Sequence, residues 1–98
     1  MIVVRNVFRL KFGKAKEVKA LFKEGMKIDN KMGINGIRMM TDLTGPAYTF
    51  IFETTHNSLS EFESDLQTAM SSSEWASIYQ KMIPLIESGH REIFTIVD

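Results

Sequence analysis

The chain has 98 residues, no cysteine, and 12 acidic side chains balanced by 12 basic ones. This excludes disulfides, thiolate metal ligands and a cysteine nucleophile, and zero net charge without a recognition motif argues against nucleic acid as a partner. With no long apolar run and no signal-peptide pattern, it reads as a soluble cytoplasmic protein without a membrane segment, one domain over residues 1–98.

Residues 2–12 alternate as a strand. Ile2, Val4, Phe8, Leu10 and Phe12 share one register, and Asn6 interrupts it; Val3 and Val7 alternate with Arg5, Arg9 and Lys11 on the other. Gly13 ends the strand. From Lys14 to Lys31, Val18, Leu21, Phe22 and Met26 recur at the spacing of one helix face. Lys16, Lys19, Lys23, Lys27 and Lys31 form a stripe on the opposite face, read as the solvated side. "MGING" at 32–36 then stops the helix and turns the chain.

A hairpin follows. "IRMMTDL" (37–43) and "AYTFIFETT" (47–55) alternate as strands around "TGP", with Tyr48, Phe50 and Phe52 on one face of the second. Ser58 and Glu61 make a capping box for a helix whose stripe is Leu59, Phe62, Leu66 and Ala69. Ser71 and Glu74 repeat that spacing before a second helix with the stripe Trp75, Ile78, Tyr79, Met82 and Ile86. Pro84 bends or ends it, Gly89 breaks the chain, and "HREIFTIV" (90–97) is the last strand.

The order β-α-β-β-α-α-β, with a right-handed first crossover, gives an α+β class. Its simplest topology is the ferredoxin-like split β-α-β: a four-stranded antiparallel sheet with helices on one face. Strands one and three would be central, yet both carry apolar side chains on both faces, and the edge strands would be bare. A second copy packed sheet to sheet answers both problems, so a homodimer is expected. The uneven charge agrees with opposite surfaces meeting at a subunit contact. Residues 1–40 carry ten Lys/Arg against Glu17, Glu24 and Asp29, whereas 41–98 carry Lys81 and Arg91 against nine acids.

Two stretches, "FGKAKEVKALF" and "SSSEWASIYQKMIPLIESGHREIFTIVD", carry a resemblance. The chain resembles the dimeric α+β barrel superfamily, closest to NIPSNAP-like proteins and with antibiotic-biosynthesis-type monooxygenases as relatives. That resemblance implies a pocket for a small hydrophobic molecule, and cofactor-independent oxygenation as its chemistry. Its rival is a non-catalytic NIPSNAP-like binding or interaction module. Asn6 and Gly13 also match the strand-one asparagine and glycine of heme-degrading members. Those enzymes use a helical histidine as iron ligand, and 58–87 contains none, so heme degradation ranks last and no cofactor is assigned.

Asn6 reads either as an amide satisfied by a neighbouring helix or subunit, or as a donor that polarises a bound oxygen. Asn6, His90 and Tyr79 are the catalytic candidates. Asn6, Tyr48, Phe50, Trp75, Tyr79 and His90 are the expected pocket residues. His56 and His90 are each possible general bases, because imidazole titrates near neutrality. The favoured reading is an exposed loop or strand-end histidine, since no carboxylate stands at a spacing that would obviously orient either. Two histidines without cysteine give no recognised metal-ligand spacing.

Overall fold

The computed structural model describes residues 1–98. Strand β1 (Ile2–Leu10) is followed by helix α1 (Ala15–Lys31), strands β2 (Arg38–Thr41) and β3 (Thr49–His56), and helices α2 (Leu59–Met70) and α3 (Ser73–Met82). A 3-10 turn at Ile83–Leu85 leads into β4 (Ile86–Thr95). The sheet is antiparallel with order β2-β3-β1-β4, so β1 and β3 are central as expected.

Several boundaries differ from the sequence reading: β1 stops at Leu10, short of Phe12, and β2 and β3 cover Arg38–Thr41 and Thr49–His56 rather than 37–43 and 47–55. Ile86 to Gly89 belong to β4 rather than to a helix end and a break, with Ile86 opposite Leu10 and Gly89 opposite Phe8. Glycine suits that place because a Cβ there would stand 2.7 Å from Phe8 Cδ1. The cap of α3 is Ser72, whose Oγ accepts from the Trp75 amide, whereas Ser71 Oγ donates to the Thr68 carbonyl.

The inner face of the sheet carries the core. Leu10, Phe50 and Phe52 pack with Val18 and Phe22 of α1 and with Ile78 and Met82 of α3, all buried, and Val4 is fully buried on the same face. Phe22 lies at the centre, stacked on Phe50 with ring centroids 4.6 Å apart and 5.1 Å from Phe52. Burying each such side chain contributes about 1.5–3 kcal/mol. Helix α2 behaves differently. Phe62, Leu66 and Ala69 of its apolar stripe are only half-buried, Leu59 is exposed, and no residue of the helix is fully buried. Its apolar face is turned to a cavity instead of a packed core.

The outer face bears no helix. Half-buried Val3, Val7, Met40 and Ile51 lie there beside the exposed Phe94, around an ion-pair cluster. Arg5 Nε donates to Glu53 Oε2 (3.0 Å) and Arg38 Nη2 to Glu53 Oε1 (2.7 Å). Burial pushes the Glu53 carboxyl up, but the Arg38 and Arg5 guanidiniums outweigh it and hold the group below its ordinary value.

Candidate functional site

A cavity of about 720 Å³ opens between the inner sheet face and helices α2 and α3. Its lining is mostly apolar, with Phe8, Phe52, Phe62, Leu66, Trp75 and Met82 among the walls. Into these walls are set Asn6, Asp29, Thr54, His56, Asp65 and Arg91.

Asp29 comes from the last turns of α1. Val18, Phe22, Gly25 and Asp29 follow one another at three- and four-residue steps, which puts the carboxylate on the apolar face of the helix. Trp75 crosses that face at Gly25, where a Cβ would meet the indole Cη2 at 2.4 Å; only glycine leaves the ring room. The seated indole donates from Nε1 to Asp29 Oδ1 at 2.6 Å. Asp29 is 4% exposed. No fully enclosed side-chain polar atom lacks a partner. Oδ2 has no partner and is therefore not fully enclosed, and Asp29 lines the cavity. Burial pushes the Asp29 carboxyl above its ordinary value; the Trp75 hydrogen bond pulls it partly back, and the Asp65 charge adds to the rise.

The second polar wall is a chain of three groups. Thr54 and His56 continue the inward alternation of Phe50 and Phe52 along β3, and both are buried. His56 Nδ1 donates to Asp65 Oδ2 of α2 at 2.8 Å, and His56 Nε2 stands 2.8 Å from Thr54 Oγ1. A neutral ring with its proton on Nδ1 accepts the threonine hydroxyl at Nε2. The exposed-histidine reading of His56 is thus corrected: the orienting carboxylate lies nine positions on, brought over the ring by the first turns of α2. His56, Glu61 and Asp65 also hold one ligand atom each within 4.8 Å of one another, a grouping not read from the sequence. Both Glu61 oxygens already accept from Asn57.

The third wall answers the question of Asn6. Its partners within the chain are in the sheet, not in a helix: Nδ2 donates to the Phe52 carbonyl (3.4 Å), and Oδ1 accepts from Arg91 Nε (2.9 Å). Arg91 is opposite Asn6 in the ladder and lies over the Phe62 ring at 5.3 Å. Its two Nη groups have no partner in the protein, and no carboxylate pairs with it.

Of the expected pocket residues, Asn6, Trp75 and Tyr79 line the cavity, Tyr79 at its exposed rim. Phe50 and Tyr48 do not, and His90 meets it only from the strand side. Phe50 is 1% exposed and locked under Phe22 in the core. Tyr48 precedes β3 in a left-handed conformation (φ 62°), packs on Phe12 at 4.6 Å, and is not a lining residue. His90 borders the cavity on β4, but it is opposite Val7 and alternates with Arg91. Its imidazole therefore lies on the outer face, 3.5 Å from Glu92. The lining residues outside the expected pocket set include Asp29, Thr54, His56, Asp65 and Arg91, of which the sequence marks only His56, as a possible base. Extending the helical and strand spacings by one step would have found the first three.

The NIPSNAP family profile matches residues 4–98. The chain belongs to the NIPSNAP family. Solved structures agree on the fold. A NIPSNAP domain protein of Burkholderia xenovorans is 16% identical, with 99% of this chain and 95% of that one covered and a TM-score of 0.85. A NIPSNAP family protein of Agrobacterium tumefaciens is 20% identical, with 99% and 93% covered and a TM-score of 0.88. An antibiotic biosynthesis monooxygenase is 13% identical over the whole of both chains, with a TM-score of 0.78. At these identities the structures share the ferredoxin-like α+β architecture with this NIPSNAP member. No match was found among curated proteins. No helix is long and apolar enough to cross a membrane.

Proposed function

We propose that this NIPSNAP-family chain binds a small, mostly apolar molecule in the cavity between the sheet and helices α2 and α3. The observation that carries the reading is α2, whose apolar stripe faces a cavity of about 720 Å³ rather than the core. That volume suits a drug-sized ligand, and apolar walls with a few convergent polar groups are the usual composition of such sites. Fluorescence titration with the neutral apolar dye N-phenyl-1-naphthylamine tests it. Saturable binding is expected, together with its loss in Ala69→Trp, which fills the space beneath α2. Equal binding by a folded Ala69→Trp would overturn the reading.

Ionisable groups buried around an apolar space support a chemical role over a purely scaffolding one. Cofactor-independent oxygenation is one such role; it draws its electrons from the substrate and needs molecular oxygen as co-reactant. We also infer that a second copy covers the outer sheet face, because Val3, Val7, Met40, Ile51 and Phe94 offer it an apolar surface.

A further inference from the structure

We propose that Asp29 accepts a proton from an acidic C–H of a neutral carbonyl compound held in the cavity, and that the Arg91 guanidinium receives the enolate oxygen. The inference rests on the binding reading above and adds to it a substrate class and a reaction.

Asp29 has the position of a base. It is buried and lines the cavity, one oxygen is fixed by Trp75 Nε1, and the other has no partner and is not fully enclosed. An apolar surround makes a carboxylate a stronger base, and the direction in which burial moves this group agrees. Arg91 has the position of the oxygen's receiver. It is the cation lining the cavity that no carboxylate neutralises, and the Asn6 amide and the Phe62 ring hold it while leaving both Nη groups free. Donors already in place where charge develops cost no reorganisation during the reaction. His56 and Thr54 are bonded to each other and so are less available for either task.

The charges choose the substrate. Asp29, Asp65 and Glu87 all line the cavity, so a ligand that arrives as an anion meets repulsion. A neutral ketone does not. When its α C–H bond breaks, the proton passes to Asp29 Oδ2. The bonding pair forms the C=C bond, and the carbonyl π pair moves to oxygen. One negative charge moves from the aspartate to the enolate beside Arg91, and the total charge of the cavity is unchanged. Return of the proton to the same carbon exchanges its isotope; return to another carbon of the conjugated system gives an isomer. No oxidant, reductant or cofactor enters the balance.

The probe is 1-phenylpropan-2-one, with α-hydrogen exchange in D2O followed by proton NMR. Displacement of N-phenyl-1-naphthylamine reports occupancy of the cavity independently. The wild type is expected to exchange the α-hydrogens faster than buffer. Asp29→Asn, which keeps an oxygen for Trp75, should lose about 100-fold or more of that enhancement while still binding the dye. Arg91→Gln, a change at an exposed side chain, should lose about 10-fold or more with the dye still bound. If dye binds but the ketone fails to displace it, or displaces it without exchange, the proposal is overturned and the cavity reading stands. Undiminished exchange in Asp29→Asn also overturns it. If neither dye nor ketone binds, the cavity reading falls, and this inference with it.

Discussion

Trp75 Nε1 and Asp29 Oδ1 are 2.6 Å apart, a bond that ties α3 to the end of α1 across the cleft left by Gly25. One hydrogen bond thereby fixes the indole, closes one wall of the cavity and aims a buried carboxylate into it. An ionised group kept there with one partner costs stability.

Asp29→Asn should therefore stabilise the fold near neutral pH. The folded value lies above the ordinary 3.8, so the native state binds its proton more tightly than the unfolded chain does. Native stability then falls as pH rises from 3.8 through the raised folded value. The expected gain for the variant is about 1 kcal/mol, or roughly 4–8 °C in Tm, at neutral pH. It should vanish in acid below 3.8, as thermal melts at two pH values would show.

Glu53 should behave oppositely. Its folded value lies below the ordinary 4.5, so its contribution is complete above 4.5 and is lost as pH falls through the lowered folded value. Glu53→Gln should flatten that part of the acid unfolding curve. Because the Arg5 and Arg38 side chains are 34% and 67% exposed, solvent screens the pairs. The neutral-pH cost should then be about 1 kcal/mol.

Asn6→Val should leave the melting temperature within about 2 °C of wild type. Valine suits a strand register shared with Val4 and Phe8, and the bond to the Phe52 carbonyl is long at 3.4 Å. Val4→Ala, at a fully buried site, should cost about 2 kcal/mol and serves as the core control. If Asn6→Val melts as early as Val4→Ala, the amide holds the fold together rather than orienting Arg91.

Light scattering at micromolar concentration should report about twice the chain mass of 11.2 kDa. Phe94→Asp, placing a charge on the outer face, should reduce the mass to that of one chain. A folded, soluble wild-type monomer would show that the outer face needs no second copy.

The alternation of Ile2 to Leu10 and the spacing of Val18, Leu21, Phe22 and Met26 made the strands, helices and chain order legible in the sequence. Periodicity reports which residues share a face, and the Ser58 cap agrees with it, whereas the α3 cap is Ser72 rather than Ser71 and Gly89 lies within β4. The same periods already place Asp29 on the apolar face of α1 and Thr54 and His56 on the inner face of β3. Tertiary structure alone decided what those faces meet. Phe50 and Phe52 share a side of β3, yet Phe50 is pressed under Phe22 while Phe52 reaches the cavity. The difference is where α1 and α3 dock and where α2 stands off. Arg91 and Asn6 are 85 positions apart, and only the β1–β4 register makes them partners. That register also sends His90 to the opposite face. A one-residue step in a strand reverses the direction of a side chain, and no local pattern reports which strand of the sheet will lie alongside.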